Sequence, residues 1–235
     1  MSQVLTAAPA SNGAKVISGT SAYSSDVAFT PAVKAIQRRK GSRATYARME
    51  ARGAWAATIT PDLAGFIAEQ RSFFLATANA QGQPYIQHRG GPPGFLRVLD
   101  PHTLAFADFM GNRQFITQGN LEDNAKSFIF LIDYANQQRI KIWGGARVVE
   151  DDPALMARLM PEGYKARPEQ VILFRVAAWD SNCPQHIPQR FDIADVRRDI
   201  AMRDERIAAL EAALAHLQNR GDHGIDEQDQ IVTTV

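Results

Sequence analysis

Cysteine is almost absent from this 235-residue sequence, occurring only as Cys183. An intrachain disulfide is therefore excluded, a cysteine-rich metal centre is excluded with it, and no metal ligands are assigned. A reducing compartment fits this usage. An excess of charge is also lacking, since 26 Lys and Arg stand against 25 Asp and Glu. Without a broad basic field, nucleic acid is not an expected partner. The one compact basic run, Arg38-Arg39-Lys40, reads as the solvated end of a helix. Long apolar runs are missing too. No stretch approaches the roughly 20 residues of a membrane span, and the first residues carry no basic segment leading into an apolar one. A cytoplasmic protein with no membrane partner is the expectation.

What is present is an ordinary globular composition, 45% apolar and 22% charged, which argues against wholesale disorder. Residues 1–25 are rich in Ser, Ala and Thr and read as a flexible arm, because they bury too little apolar surface to offset the entropy of ordering. Residues 26–191 read as one domain with a helical extension at its start, broken at Gly41 and Gly53. Residues 192–220 read as an amphipathic helix: Val196, Ile200, Ile207, Leu210, Leu214 and Leu217 recur at near-heptad steps, interrupted by Arg203. That helix packs either on its own domain or on a second copy. Gly221 is expected to end it, leaving residues 221–235 as a disordered tail.

Within the domain, Thr60-Pro61 predicts a helix over 61–71, with a hydroxyl cap and proline at the first helical position. The period then changes. Ser72 to Ala78 and Pro84 to Arg89 read as a hairpin about the turn Asn79 to Gln83, and further extended segments run at 95–99, 103–110, 127–134, 139–150 and 170–179. Short helices are expected at 113–121 and 153–160. Helices and strands do not alternate regularly, so the class is mainly β with flanking helices: an antiparallel sheet of about six strands, closed or partly closed into a barrel.

Three segments carry chemistry. Gly111-Asn112-Arg113-Gln114 follows a strand and opens a helix. Asn112 suits an N-cap, and free N–H groups beside an arginine fork can hold a phosphate. A capped helix with a solvent-facing arginine would carry the same residues. Gln87-His88-Arg89 ends a strand just before a glycine and proline turn, which fits either a ligand-facing edge or an ordinary bulge. Trp179 to Phe191 follows an irregular path set by two prolines and includes Asn182, Cys183 and His186; it reads as a ligand-facing tail.

In order and spacing, these parts resemble the pyridoxamine 5'-phosphate oxidase family of FMN-binding split barrels. The resemblance covers residues 60–191, including Leu104-Ala105-Phe106-Ala107-Asp108, the corner at 111–114 and Arg139-Ile140-Lys141-Ile142-Trp143-Gly144-Gly145-Ala146. It implies a six-stranded antiparallel split β-barrel forming a homodimer, with FMN held at the interface. By position, it makes Gln87, His88, Arg89, Asn112, Arg113 and Gln114 phosphate and ribityl contacts. Ala107 and Asp108 would line the ring through backbone groups, Arg139 would neighbour the flavin, and the tail with Trp179 and Asn182 would close over it. Two departures matter. The family corner carries Ser-Arg-Lys where this chain has Asn112-Arg113-Gln114, leaving Arg89 to compensate. The vitamin oxidase's closing Arg-x-His element also has no clean counterpart in Gln185 to Arg190.

The implied function is an FMN-dependent oxidoreductase acting on a small organic substrate or nicotinamide other than pyridoxamine phosphate, with His186 and Cys183 as candidate catalytic groups. No obvious acid–base pair is present, which leaves open a carrier or sensor that binds flavin or haem without turnover. Hydrogen bonds to a charged group contribute about 1.5 to 3 kcal/mol each, whereas micromolar binding needs about 8 kcal/mol. Phosphate contacts alone therefore do not suffice, and the ring must be buried as well.

Overall fold

The structure is a computed structural model that describes residues 22–181 and 184–226, with side chains as far as Gln218. Asn182, Cys183, residues 1–21 of the expected arm and residues 227–235 of the expected tail lie outside the described residues. The chain forms two compact units. The larger comprises residues up to Leu131 together with Ile140–Ser181, and the smaller comprises Ile132–Arg139 with the chain from Asn182 onward.

The larger unit opens with a 3-10 turn, Ser24–Val27, and two helices, α1 (Pro31–Arg39) and α2 (Arg43–Ala51). They close around the buried Glu50, whose carboxylate is paired with Arg43 and lies 3.3 Å from Lys34. The run Arg38-Arg39-Lys40 stands exposed at the C-terminal end of α1, where cations complement the helix dipole. Helix α3 (Pro61–Glu69) starts as its residues dictate: the Thr60 hydroxyl accepts from the Leu63 N–H at 3.2 Å, and Leu63 and Ile67 are buried.

Strands β1 (Ser72–Ala78) and β2 (Pro84–Gly90) pair antiparallel about a turn in which Asn79 Oδ1 accepts from Gln81 and Gln83 and Gly82 takes a φ of 83°. The other strands are β3 (Arg97–Asp100), β4 (Thr103–Phe109), β5 (Lys126–Asp133), β6 (Gln138–Val149) and β7 (Pro168–Ser181), with α4 (Ile116–Asp123) after β4 and α5 (Pro153–Leu159) after β6. The sheet runs β2-β1-β5-β6-β7-β4-β3. It has seven strands rather than about six, one for each extended segment read from the sequence, with the short β3 folding back on β4.

The sheet curls within the larger unit. Arg89 on the edge strand β2 bonds to Asp108 on β4, although β1, β5, β6 and β7 lie between them in the sheet order. The curl encloses Phe73, Leu75, Leu104, Phe106, Ile129, Ile142 and Phe174, all but inaccessible to solvent, with α3 packed against them. Each such side chain contributes about 1.5 to 3 kcal/mol by burial. On the opposite face of β4 and β7, Leu159 of α5 covers Ala105, Ala107 and Val171. One glycine is needed for the bend of β6: a Cβ on Gly144 would lie 2.1 Å from the Arg175 carbonyl oxygen, at the point where the β6–β7 register shifts.

In the smaller unit, residues 184–190 are tied to the turn after β5. Gln137 Nε2 donates to the Ile187 carbonyl at 2.7 Å, Gln189 Nε2 donates to the Ala135 carbonyl at 2.9 Å, and the Arg190 guanidinium lies 4.9 Å from the Tyr134 ring centre. Helix α6 (Ile193–Asp226) follows. It continues past Gly221 and Gly224, since an interior glycine costs only about 1 kcal/mol and does not by itself stop a helix.

Candidate functional site

A cleft in the larger unit is built from three places: one face of β2, the corner between β4 and α4, and the start of β7. Side chains alternate along a strand, so Tyr85, Gln87 and Arg89 of β2 face the cleft together. The same alternation sends His88 the other way, against the Phe74 ring at 5.6 Å. Asp108, Asn112, Arg113, Gln114, Thr117, Glu169 and Gln170 complete most of the lining.

The corner differs from its expected form. Asn112 does not cap the helix; its Oδ1 accepts from the Gln114 N–H at 3.3 Å, closing a local turn. Arg113 and Phe115 then both take left-handed backbone, at φ 58° and 53°, and α4 starts only at Ile116 with no side-chain cap. The reason is that an asparagine oxygen serves an N-cap and a non-helical turn equally well. The left-handed residues that follow decide between them. The uncapped first turn leaves backbone N–H groups at the cleft, an arrangement suited to an anion. Two hydrogen bonds hold α4 in place: Thr117 Oγ1 donates to Gln87 Oε1 at 2.8 Å, and the buried Asn120 Nδ2 donates to Thr77 Oγ1 at 2.9 Å.

The cleft floor is a polar group of three, two of them charged. Arg89 Nη1 donates to one oxygen of Asp108, and Gln170 Nε2 donates to the other at 3.0 Å. Burial nevertheless raises the Asp108 carboxyl above its ordinary range, outweighing the pull of Arg89 and Gln170 in the opposite direction. Arg89 Nε is buried with no hydrogen-bond partner among the described residues. Nearer solvent, Arg113 Nε lies 3.2 Å from Glu169, with its side chain 62% exposed.

Six expected residues therefore meet in this cleft: Gln87, Arg89, Asp108, Asn112, Arg113 and Gln114. Asp108 takes part through its carboxylate, where backbone groups were expected. Ala107 does not reach the cleft; it is buried against Leu159 and Val171. Trp179 is also elsewhere, its Nε1 donating to the Thr58 carbonyl at 2.9 Å and pinning that segment to the sheet. Arg139 and His186 belong to the smaller unit. Asn182 and Cys183 lie outside the described residues. Tyr85, Thr117, Glu169 and Gln170 were not anticipated. Tyr85 could have been found from its alternation with Gln87 and Arg89, and Gln170 as the polar residue opening the apolar run Val171-Ile172-Leu173-Phe174. Among the described residues, no cluster of His, Cys, Asp and Glu could hold a metal ion.

The donor set fits a phosphate group. It offers one unpartnered guanidinium N–H, a second exposed guanidinium, two amide side chains and an uncapped helix start. The cleft is small and open on one side, and its lining is mostly polar.

A family model described as "Pyridoxamine 5'-phosphate oxidase" matches residues 59–183, just over half of the sequence. No curated protein sequence matches. Among solved structures, HupZ of Group A Streptococcus is 23% identical, with a TM-score of 0.44, over 57% of this chain and 99% of its own. A putative pyridoxamine 5'-phosphate oxidase of Lactobacillus delbrueckii is 18% identical, with a TM-score of 0.42, over 53% of this chain and 95% of its own. HutZ, the haem storage protein of Vibrio cholerae, is 21% identical, with a TM-score of 0.37, over 51% of this chain and 89% of its own.

Proposed function

The chain belongs to the pyridoxamine 5'-phosphate oxidase family, and from that premise we propose that it is an FMN-dependent oxidoreductase. It acts on a small organic substrate or nicotinamide and works as a homodimer. The observation that carries the reading is the buried Arg89 Nε–H without an acceptor, set beside the uncapped start of α4. Leaving such a donor unpaired costs about 1 to 3 kcal/mol, and a phosphate oxygen would supply what the chain does not.

Arg89, Arg113, Asn112, Gln114 and the first N–H groups of α4 would hold the phosphate, and Gln87, oriented by Thr117, would meet the adjoining hydroxyl-bearing chain. Asp108 and Gln170 keep the Arg89 guanidinium in one orientation, so that little is lost in ordering it when an anion arrives. The carboxylates of Asp108 and Glu169 balance the two arginines. Affinity therefore depends on directed hydrogen bonds more than on net charge. Bound FMN would supply redox chemistry that the side chains lack. The cleft is open to solvent, and a second copy would cover the ring there.

The test is the absorption spectrum of the purified protein, followed by titration with FMN and, separately, with haem. A flavin spectrum, or saturable FMN binding that weakens at least tenfold in Arg113→Ala, supports the reading. Absence of flavin in the protein together with no binding of added FMN would overturn it. Saturable haem binding in place of flavin would favour the carrier reading. Anaerobic reduction of the FMN-loaded protein, followed by a search for a donor and acceptor giving steady-state turnover, separates an enzyme from a flavin carrier.

A further inference from the structure

Ile193, Ile200, Ile207, Leu210, Leu214 and Leu217 along α6 are each at least 50% exposed. With Val196 and Arg203 they occupy every first and fourth place of four successive heptads. The alternating steps of three and four hold without a slip from Ile193 to Leu217. This stripe is about 37 Å long at 1.5 Å per residue. Such spacing sustained over four heptads is matched by a partner helix with the same repeat. A second copy of this chain carries one.

We propose that α6 pairs with α6 of a second copy as a parallel, in-register two-stranded coiled coil. The seam residues select this form. The first heptad place holds Ile193, Ile200, Ile207 and Leu214, and the fourth holds Val196, Arg203, Leu210 and Leu217; isoleucine at the first place with leucine at the fourth favours two parallel strands. The flanking charges agree. In a parallel pair, Arg206 faces Glu211 of the second copy, an attraction made twice by symmetry. Asp199 would face Asp204 of the second copy, but Arg203 sits in the seam between them and supplies the counter-charge. An antiparallel pair would set Asp204 against Glu211 twice and Asp199 against Arg206 twice, so the choice of direction rests on the seam residues. A charged residue in an apolar seam costs stability and penalises shifted registers, which is the role assigned to Arg203. The proposal stands apart from what the cleft binds.

The full-length chain tests it by cysteine cross-linking. Cys183→Ser removes the native thiol, and Leu217→Cys or Ala212→Cys then adds a single new one, in the seam or on the outer face of the helix. Under mild oxidation at micromolar protein, Leu217→Cys is expected to become mostly covalent dimer and Ala212→Cys to remain monomeric on a non-reducing gel. Adding Arg206→Glu to Leu217→Cys should lower the yield several-fold, and adding Glu211→Arg as well should restore it. Failure of Leu217→Cys to cross-link would overturn the proposal. Equal cross-linking of Ala212→Cys would do so too. So would a dimer that forms only when Ile193→Cys and Leu217→Cys copies are mixed, which would mean antiparallel pairing.

Discussion

At the cleft floor, Asp108 has an arginine on one carboxylate oxygen and an amide on the other, and only the Arg89 Nε–H is left over. Along the described part of α6, seven large apolar side chains stand at least half exposed, six of them in the seam. The first region satisfies its polar groups almost entirely within one chain, at long range in sequence, through the curl of the sheet. The second satisfies its backbone locally and leaves its apolar surface to another molecule. The difference teaches where each will register damage. Changes in the cleft should appear in folding and in small-molecule binding together, whereas changes on the helix should appear in association and leave the larger unit's stability alone.

The largest effect is expected from Arg89→Ala. It leaves Asp108 buried without its cation, and breaking a buried pair on one side typically costs about 3 to 5 kcal/mol, measurable as a lowered urea midpoint. The double change Arg89→Met with Asp108→Asn should recover at least about 1 kcal/mol of that loss, because no charge is then stranded. If the single and double variants unfold alike, the cleft is not a coupled charge network.

Next comes Asn120→Ala, which removes the buried bond from α4 to Thr77 and should cost about 1 to 3 kcal/mol by leaving the threonine hydroxyl unpaired. It also loosens the helix whose first turn faces the cleft, so phosphate or FMN affinity should fall with stability. A stability loss at unchanged affinity would show that the helix start and the cleft are not linked.

The pH dependence sharpens the comparison further. Burial holds the folded Asp108 pKa above its unfolded value, so the folded state binds the proton more tightly. Its contribution is therefore fully present below the ordinary aspartate range and lost as pH rises through the raised value. Asp108→Asn should flatten that fall when urea midpoints are compared across the mildly acidic range. The same substitution frees Arg89 from its carboxylate and should tighten binding of inorganic phosphate at neutral pH. Unchanged slopes in wild type and variant would show that Asp108 does not titrate in that window.

How much of this was readable beforehand follows from the range of each interaction. Thr60-Pro61 announced α3 because a cap is settled within four residues, and the helix expected at 153–160 starts in the same way, with Asp152 accepting from Leu155 at 2.9 Å. The strands declared themselves by period, and the same period would have separated His88 from Gln87 and Arg89. Asn112 misled because the outcome rested on left-handed backbone at Arg113 and Phe115, neither of them glycine. The partnership of Arg89, Asp108 and Gln170 was out of reach, since it depends on the curl that brings an edge strand to β4. So was the removal of Trp179 from the cleft, which rests on a bond to Thr58 across 121 positions.

Ile207→Ser carries the smallest expected change in folding and is the cleanest discriminator. Ile207 is 53% exposed in the isolated chain, so a serine there should alter the unfolding free energy of the larger unit, read from urea titration, by no more than about 0.5 kcal/mol, the range of ordinary surface substitutions. In a parallel coil the same residue meets its own copy in the seam, and two buried isoleucines are lost per dimer. Sedimentation should then show α6-mediated association weakened about tenfold or more, while phosphate binding in the cleft stays as it was. If the urea midpoint falls markedly at protein concentrations too low for dimers, Ile207 is packed within its own chain. The contrast between a self-satisfied cleft and an unsatisfied helix would then fail.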